Sequence, residues 1–313
     1  MKTWLRLGSA AIALTLSTPW GLASEADYPT RPIKLVVPYP PGGGLDDIAR
    51  MVGQKVSTVL GQPVLIENKP GANGAIGGDF VAKSSPDGYT VLIDNSSLVI
   101  NPALRKMPFD AGRELAPVTL AATQDSMLLA HPSLTVKSVL ELIAYAKANP
   151  GKLNYGSPGT GSPQHIGMEM FNRMAGTQMV HIPFKGGAPA TNALLAGEVH
   201  LLLSGTTGLP FVKSGRVKVL ATTGAMRSRV LSDVPIVAES GLRDYQLINW
   251  QAVLVPAKTP PAIIAKLHRA FVYALNSPEV SQTLVERNFV VVASTPAELS
   301  KVMTRGLALP SQF

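Results

Sequence analysis

The chain has 313 residues, 28 Lys and Arg against 20 Asp and Glu, a net charge of +8, and no cysteine. Disulfides, thiolate metal sites and a cysteine-linked lipid anchor are excluded, so the core alone must hold the fold. The basic residues are scattered, with no Lys/Arg run and no aromatic-basic interleaving, so no nucleic-acid surface is expected.

Residues 1–26 read as a secretory signal peptide. Lys2 and Arg6 form a positive n-region, residues 7–16 a short apolar core, and Pro19 ends it. Cleavage is expected after Ala23, in Gly21-Leu22-Ala23, or after Ala26, in Ser24-Glu25-Ala26. The apolar run is far short of the ~20 residues of a membrane span and no later run is longer. The exported protein is therefore expected to be soluble in the periplasm.

Beyond the leader, strand-like apolar runs fall at 33–37, 64–67, 90–94, 127–130, 179–182, 201–204, 217–222, 251–255 and 290–293. Helical stretches lie between them at 46–60, 76–84, 138–148, 164–175, 189–196, 261–276 and 278–287. This alternation predicts an α/β fold of mainly parallel sheets flanked by helices, with ligands at the carboxyl ends of strands. Two long extended segments, 118–131 and 245–256, do not fit one sheet and read as strands crossing between domains. The predicted organisation is a first lobe of 27–124 plus 249–313 and a second lobe of 125–248, joined by two hinge strands around a cleft.

The first strand runs into Pro40-Pro41-Gly42-Gly43-Gly44-Leu45-Asp46, a glycine turn before a helix. Such glycines bring backbone N–H groups close to a guest, and the helix start favours an anion. The loop lacks the Lys-Ser/Thr of a nucleotide P-loop and the last glycine of a dinucleotide fingerprint; a tight turn without ligand is the plain alternative. The second half repeats the theme in Ser157, Gly159, Thr160, Gly161 and Ser162, with His165 opening the next helix, and in Lys185, Gly186 and Gly187. Three such loops converging on one cleft favour a bound anion over three ordinary turns. Lys185 either pairs with a solute carboxylate or snorkels to solvent. Asp46 is equally a helix-start residue or a ligand contact.

Catalytic constellations are missing from the pattern. His131, His165, His181, His200 and His268 have no i,i+4 pair and no HExxH, so no metal is expected. Ser157, Ser162 and Ser204 have no G-x-S-x-G elbow around them, and Pro163 removes a donor just after Ser162. No catalytic residue and no cofactor are predicted.

Longer stretches carry a family resemblance. They are Tyr28-Pro29-Thr30-Arg31-Pro32-Ile33, the glycine loop with Ala49-Arg50, Glu67-Asn68-Lys69-Pro70-Gly71-Ala72-Asn73-Gly74 and Pro86-Asp87-Gly88-Tyr89-Thr90. Further on come His131-Pro132-Ser133-Leu134, Gly156-Ser157-Pro158-Gly159 with His165, Pro183-Phe184-Lys185-Gly186, and Pro235 with Ala238-Glu239-Ser240-Gly241. In this order and spacing, over nearly all of the mature chain, the sequence resembles the Bug-type extracytoplasmic solute receptors of tripartite tricarboxylate transporters. The resemblance implies a two-lobed periplasmic binding protein, a monomer, that encloses a small organic carboxylate. It implies delivery to membrane permease subunits, with signalling to a membrane sensor kinase as the alternative.

Three positions depart from the family pattern. Leu45 replaces the usual Thr or Ser, and Ser204-Gly205-Thr206-Thr207 stands where an acid or amide is common, making Ser204 and Thr206 candidate ligand contacts. A helix beginning at Pro296-Ala297-Glu298 is expected to break at Gly306 and Pro310, so that the family's closing helix, with its acidic and Trp positions, is missing.

Overall fold

A computed structural model describes residues 27–307; the expected signal peptide and Pro310 lie outside the described residues. In chain order the first elements are β1 (Ile33–Val37), α1 (Gly44–Leu60), β2 (Val64–Asn68), α2 (Ala75–Ala82), β3 (Thr90–Asn95), α3 (Ser97–Leu104), α4 (Ala111–Glu114) and β4 (Leu115–Asp125). There follow β5 (Met127–Ala130), α5 (Val139–Ala148), β6 (Asn154–Ser157), α6 (Pro163–Ala175), β7 (Val180–Pro183), α7 (Gly187–Leu195), β8 (Leu201–Ser204), α8 (Leu209–Lys213) and β9 (Lys218–Thr222). The chain returns through β10 (Ile248–Pro256), α9 (Pro261–Asn276), α10 (Pro278–Glu286), β11 (Phe289–Val291) and α11 (Pro296–Leu307).

Two sheets result, one in the order β11-β4-β10-β3-β1-β2 and the other β7-β6-β8-β5-β9. They are mixed. Strands β1 to β4 share one direction and β6 to β9 share another, but β10 is inserted antiparallel between β3 and β4, and β5 between β8 and β9. The expectation of mainly parallel sheets therefore holds for strand direction and fails for pairing. The reason is geometric: most strands of each lobe end at the cleft, whereas a strand that has just crossed the cleft starts there.

The crossing is compact. Only Ser126 separates β4 from β5, and β4 pairs with β10 from Asp125 opposite Ile248 to Leu115 opposite Pro256. Thr223 ties the two crossings together: its hydroxyl accepts from Ser126 N–H at 2.9 Å and donates to Leu247 O at 2.8 Å.

Each sheet is covered on both faces. In α1 the apolar positions Ile48, Ala49, Val52 and Val56 recur at helical spacing and meet Leu267, Phe271 and Leu275 of α9 over one face of the first sheet. Trp250, Val99, Leu299 and Met303 cover the other face. In the second lobe, Leu142 of α5 and Phe171 of α6 lie on one side, and Ala190, Leu194 and Leu209 on the other. Each large side chain so buried is worth about 1.5–3 kcal/mol.

Most element ends shift by only one or two residues from expectation, but three short helices, α3, α4 and α8, were not foreseen. The four residues of α4 and five of α8 are too few to show a period, and Pro102 sits inside α3. The expected break at Gly306 does not occur: α11 runs through it to Leu307. A Cβ at Gly306 would lie 2.4 Å from Val99 Cγ2, so glycine here lets the last turn press against α3.

Candidate ligand-binding site

The site is built first by a buried carboxylate. Gly42 takes φ +81, a left-handed turn that glycine adopts without strain, and the loop doubles back from β1 into α1. Asp46, 2 % exposed, accepts from Gly42 N–H at 3.0 Å, from Arg50 Nε at 2.8 Å and from Asn68 Nδ2 at 2.9 Å. Burial raises the pKa of this carboxyl, but the bonds from Arg50, Asn68 and Gly42 outweigh it and hold the group below the usual range. Asp46 is thus a structural anchor whose charge is neutralised by Arg50. The first i→i−4 bond of α1 is Asp47 N–H to Gly43 O at 3.0 Å, so the N–H groups of Gly44, Leu45 and Asp46 precede the helix ladder, and these three residues line the cleft.

The second lobe supplies the opposing wall. Gly186 caps α7, and Lys185, Gly186 and Gly187 line the cleft; Ser162 caps α6 and lines it with Pro163 and Gln164. Part of the α6 terminus is already used, because Ser162 Oγ accepts from His165 N–H at 3.2 Å and Pro163 has no N–H. Together the lobes enclose an inner chamber of about 100 Å³, which opens through Tyr39, Pro40, Asn73, Pro158, Lys185 and Gly186 into an outer space of about 610 Å³.

Of the residues expected at the site, Gly43, Gly44, Leu45, Asp46, Ser162, Lys185, Gly186, Gly187, Ser204 and Thr206 line the inner chamber. Gly159 and Thr160 line the outer space. Gly42, Ser157, Gly161 and His165 line neither. Gly42 spends its N–H on Asp46, and Gly161 donates to His165 Nδ1 at 3.3 Å. The His165 ring packs against His181 in a tilted contact, with ring centroids 4.0 Å apart and planes 36° from parallel. Ser157, fully buried, pairs with His181 Nε2 at 2.6 Å, and burial with the neighbouring His165 pushes the pKa of His181 down to about 4. Neither member of that Ser–His pair lines the chamber or the outer space.

The chamber also has a polar floor that the sequence reading missed: Asn95, Ser97, Gln124, Asn249 and Gln251. Asn95 ends β3 and Ser97 opens α3, and Asn249 and Gln251 alternate along β10 with buried Trp250 and Ala252. Period-two amides in an otherwise apolar strand were the available signal. Beneath them Asp94 is buried, accepts from Asn95 N–H at 2.7 Å, and its pKa is pushed up to about 8 by burial.

Two outcomes follow. Gly43 has an ordinary φ of −90, and a Cβ there would meet only Pro40 O at an ordinary 3.9 Å, whereas a Cβ at Gly44 would lie 2.7 Å from Thr206 Oγ1 across the cleft. Gly44→Ala should therefore hold the lobes apart and weaken solute binding about tenfold, roughly 1.4 kcal/mol, and adding Thr206→Ala should restore much of it. Calorimetry on the single and double variants checks this. Asp94 has a folded pKa near 8, above the about 3.9 of an unfolded carboxyl, so its favourable contribution is complete below pH 4 and is lost as pH rises toward 8. Urea unfolding across that range should show the decline in the wild type and a flatter profile, with higher stability at pH 8, in Asp94→Asn.

The architecture and the sequence both have known counterparts. BugT of Bordetella pertussis is 36 % identical over 294 residues, covering 92 % of this chain and 90 % of that protein. The structure of R. palustris Rpa4515 with adipate is 33 % identical with a TM-score of 0.87, covering 90 % of this chain and 95 % of the other. The periplasmic binding protein BugD is 30 % identical with a TM-score of 0.85 over the same shares. The family model for tripartite tricarboxylate transporter family receptors matches residues 48–308. The chain, with its two mixed sheets flanked by helices around a cleft, belongs to this family of Bug-type solute-binding receptors.

Proposed function

We propose that this protein captures a small organic carboxylate between its lobes and hands it to the membrane permease subunits of a tripartite transporter. The observation that carries the reading is the convergence of helix N-termini from both lobes, α1 from the first and α6 and α7 from the second, on one chamber. Each terminus carries a positive dipole end, and those of α1 and α7 add free N–H donors, the environment a carboxylate seeks. Lys185 adds a cation at the chamber and forms no salt bridge among the described residues. The one carboxylate in the wall, Asp46, is already occupied by three donors and does not repel the guest.

The adipate in the Rpa4515 structure supports a carboxylate as the solute class. The proposed protein is exported by its 1–26 leader and acts as a periplasmic monomer without catalysis. Binding draws the lobes together about Ser126 and Leu247, because each lobe holds only part of the donor set.

A thermal-shift screen of the mature protein against small carboxylates tests the reading. A cognate acid at a hundred times its dissociation constant should add about 2.7 kcal/mol of stability. The matching alcohols or amides should add nothing. Stabilisation by no carboxylate, or by the uncharged analogues equally, contradicts the proposal.

A further inference from the structure

The two lobes also meet outside the inner chamber, where α3 of the first lobe touches the loop between β6 and α6 of the second. Arg105, half-buried, caps the C-terminus of α3 with an extended backbone, φ −158 and ψ 159, where the negative end of the helix suits a cation. Its Nη2 donates to Thr160 O at 2.8 Å, and its side chain makes no other hydrogen bond or ion pair among the described residues. The contact is close-packed. A Cβ at Gly161 would lie 2.7 Å from Asn101 Oδ1, 3.1 Å from Arg105 Nη2 and 3.1 Å from Leu104 Cδ1. Gly161, expected from the sequence to touch a solute, instead receives α3 of the opposite lobe.

The acceptor is fixed from behind. Thr160 stands between Gly159 at φ +142 and Gly161 at φ +81, values that glycine adopts without strain. Ser157 Oγ accepts from Gly159 N–H at 3.1 Å, Ser162 N–H donates to Gly159 O at 3.1 Å, and His165 Nδ1 accepts from Gly161 N–H at 3.3 Å. The bond also has leverage. Arg105 and Thr160 both line the outer space, to which none of the crossing strands β4, β5 and β10 contributes a residue. A second polar contact between the lobes, Ser228 Oγ to Asn288 Oδ1 at 2.6 Å, sits against the crossing instead, since Asn288 Nδ2 donates to Asp125 O at 3.3 Å. A contact beside the axis of a hinge survives rotation, whereas one displaced from it must break.

We infer that Arg105 is a latch: its bond to Thr160 O fastens the lobes on the side away from the crossing and sets the balance of closed and open forms ahead of solute binding. A guanidinium donor makes this bond charge-assisted and stronger than a neutral one. The closed form is the one in which both walls meet a solute. A protein whose competent form is only partly populated binds with an affinity reduced by that fraction, so Arg105 tunes capture whichever solute the chamber takes. It is a positioning residue, and its role stands apart from the carboxylate reading given above.

The chain has no cysteine, so Ser85→Cys in the first lobe and Gln178→Cys in the second, both exposed positions, accept a single pair of spin labels. Interlobe distances by pulsed electron resonance, and the radius of gyration of unlabelled protein by solution scattering, are read on the mature protein refolded from urea with no solute added. Arg105→Met keeps the stem and removes the donors. In it the closed-to-open ratio should fall about tenfold, roughly 1.4 kcal/mol, and the radius of gyration should rise. Arg105→Lys, which retains an ammonium donor, should recover part of the closed form. The urea midpoint should stay near the wild-type value in both variants, because each lobe keeps its own core. Distances and radius unchanged in Arg105→Met overturn the inference, as does a wild type that already stands open. Arg105→Lys no more closed than Arg105→Met also overturns it, and so does a collapsed urea midpoint in Arg105→Met, the mark of an ordinary packing residue.

Discussion

The geometry of the cleft depends on Asp46, a carboxylate on its wall that is held from behind. Its two oxygens are shared among Gly42 N–H, Arg50 Nε and Asn68 Nδ2, which ties the glycine loop to the first turn of α1 and to the end of β2. Charge-assisted bonds of this kind are stronger than neutral ones. They also decide which backbone donors are spent and which remain. Gly42 N–H is consumed, and the N–H groups of Gly44, Leu45 and Asp46 are left in the turn before the helix ladder begins. The electropositive spot is thus made of fixed backbone, with little conformational entropy to lose when a guest arrives.

The remainder of the site follows from how the chain crosses. Because β4 passes into β5 and the chain returns into β10, each lobe receives a crossing strand running against its neighbours; β11 also runs against β4, and the other strands deliver their carboxyl ends to the cleft. The loops at those ends carry the helix starts. The crossing strand itself carries the polar floor, since Asn249 and Gln251 point one way along β10 and Trp250 and Ala252 the other. The crossing between the lobes and the polar floor of the chamber are thus built on the same strand. Contacts between the lobes are already close: Arg105 Nη2 donates to Thr160 O at 2.8 Å, and Gly44 faces Thr206.

Much of this was legible in the sequence, for reasons that can be named. Strands β1, β5 and β8 are continuous apolar runs, and their ends are those expected. Glycine and proline punctuation gave the turns, and the acidic residues after Gly44 gave the start of α1. Less legible was which member of each loop faces the guest. Ser157 and His165 carry polar groups at promising positions, yet both are satisfied by His181 and by the loop itself, a pairing across 24 residues of sequence for Ser157. Gly43 and Gly44 look alike in sequence, and only the approach of Thr206 from the other lobe separates them. Leu45, the departure from the family pattern, lines the chamber and is nonetheless buried, so its side chain serves the core while its N–H serves the loop.

The central claim is that a carboxylate sits on the backbone donors where α1 begins and is closed over by those before α7. Amide NMR during titration with the best acid from the screen addresses it directly. The account predicts the largest proton shifts, toward lower field as hydrogen bonds form, at Gly44, Leu45 and Asp46, together with Gly187 and Ala188 from the second lobe. Saturable binding that leaves these amides unmoved, with its shifts clustered away from the cleft, would contradict it.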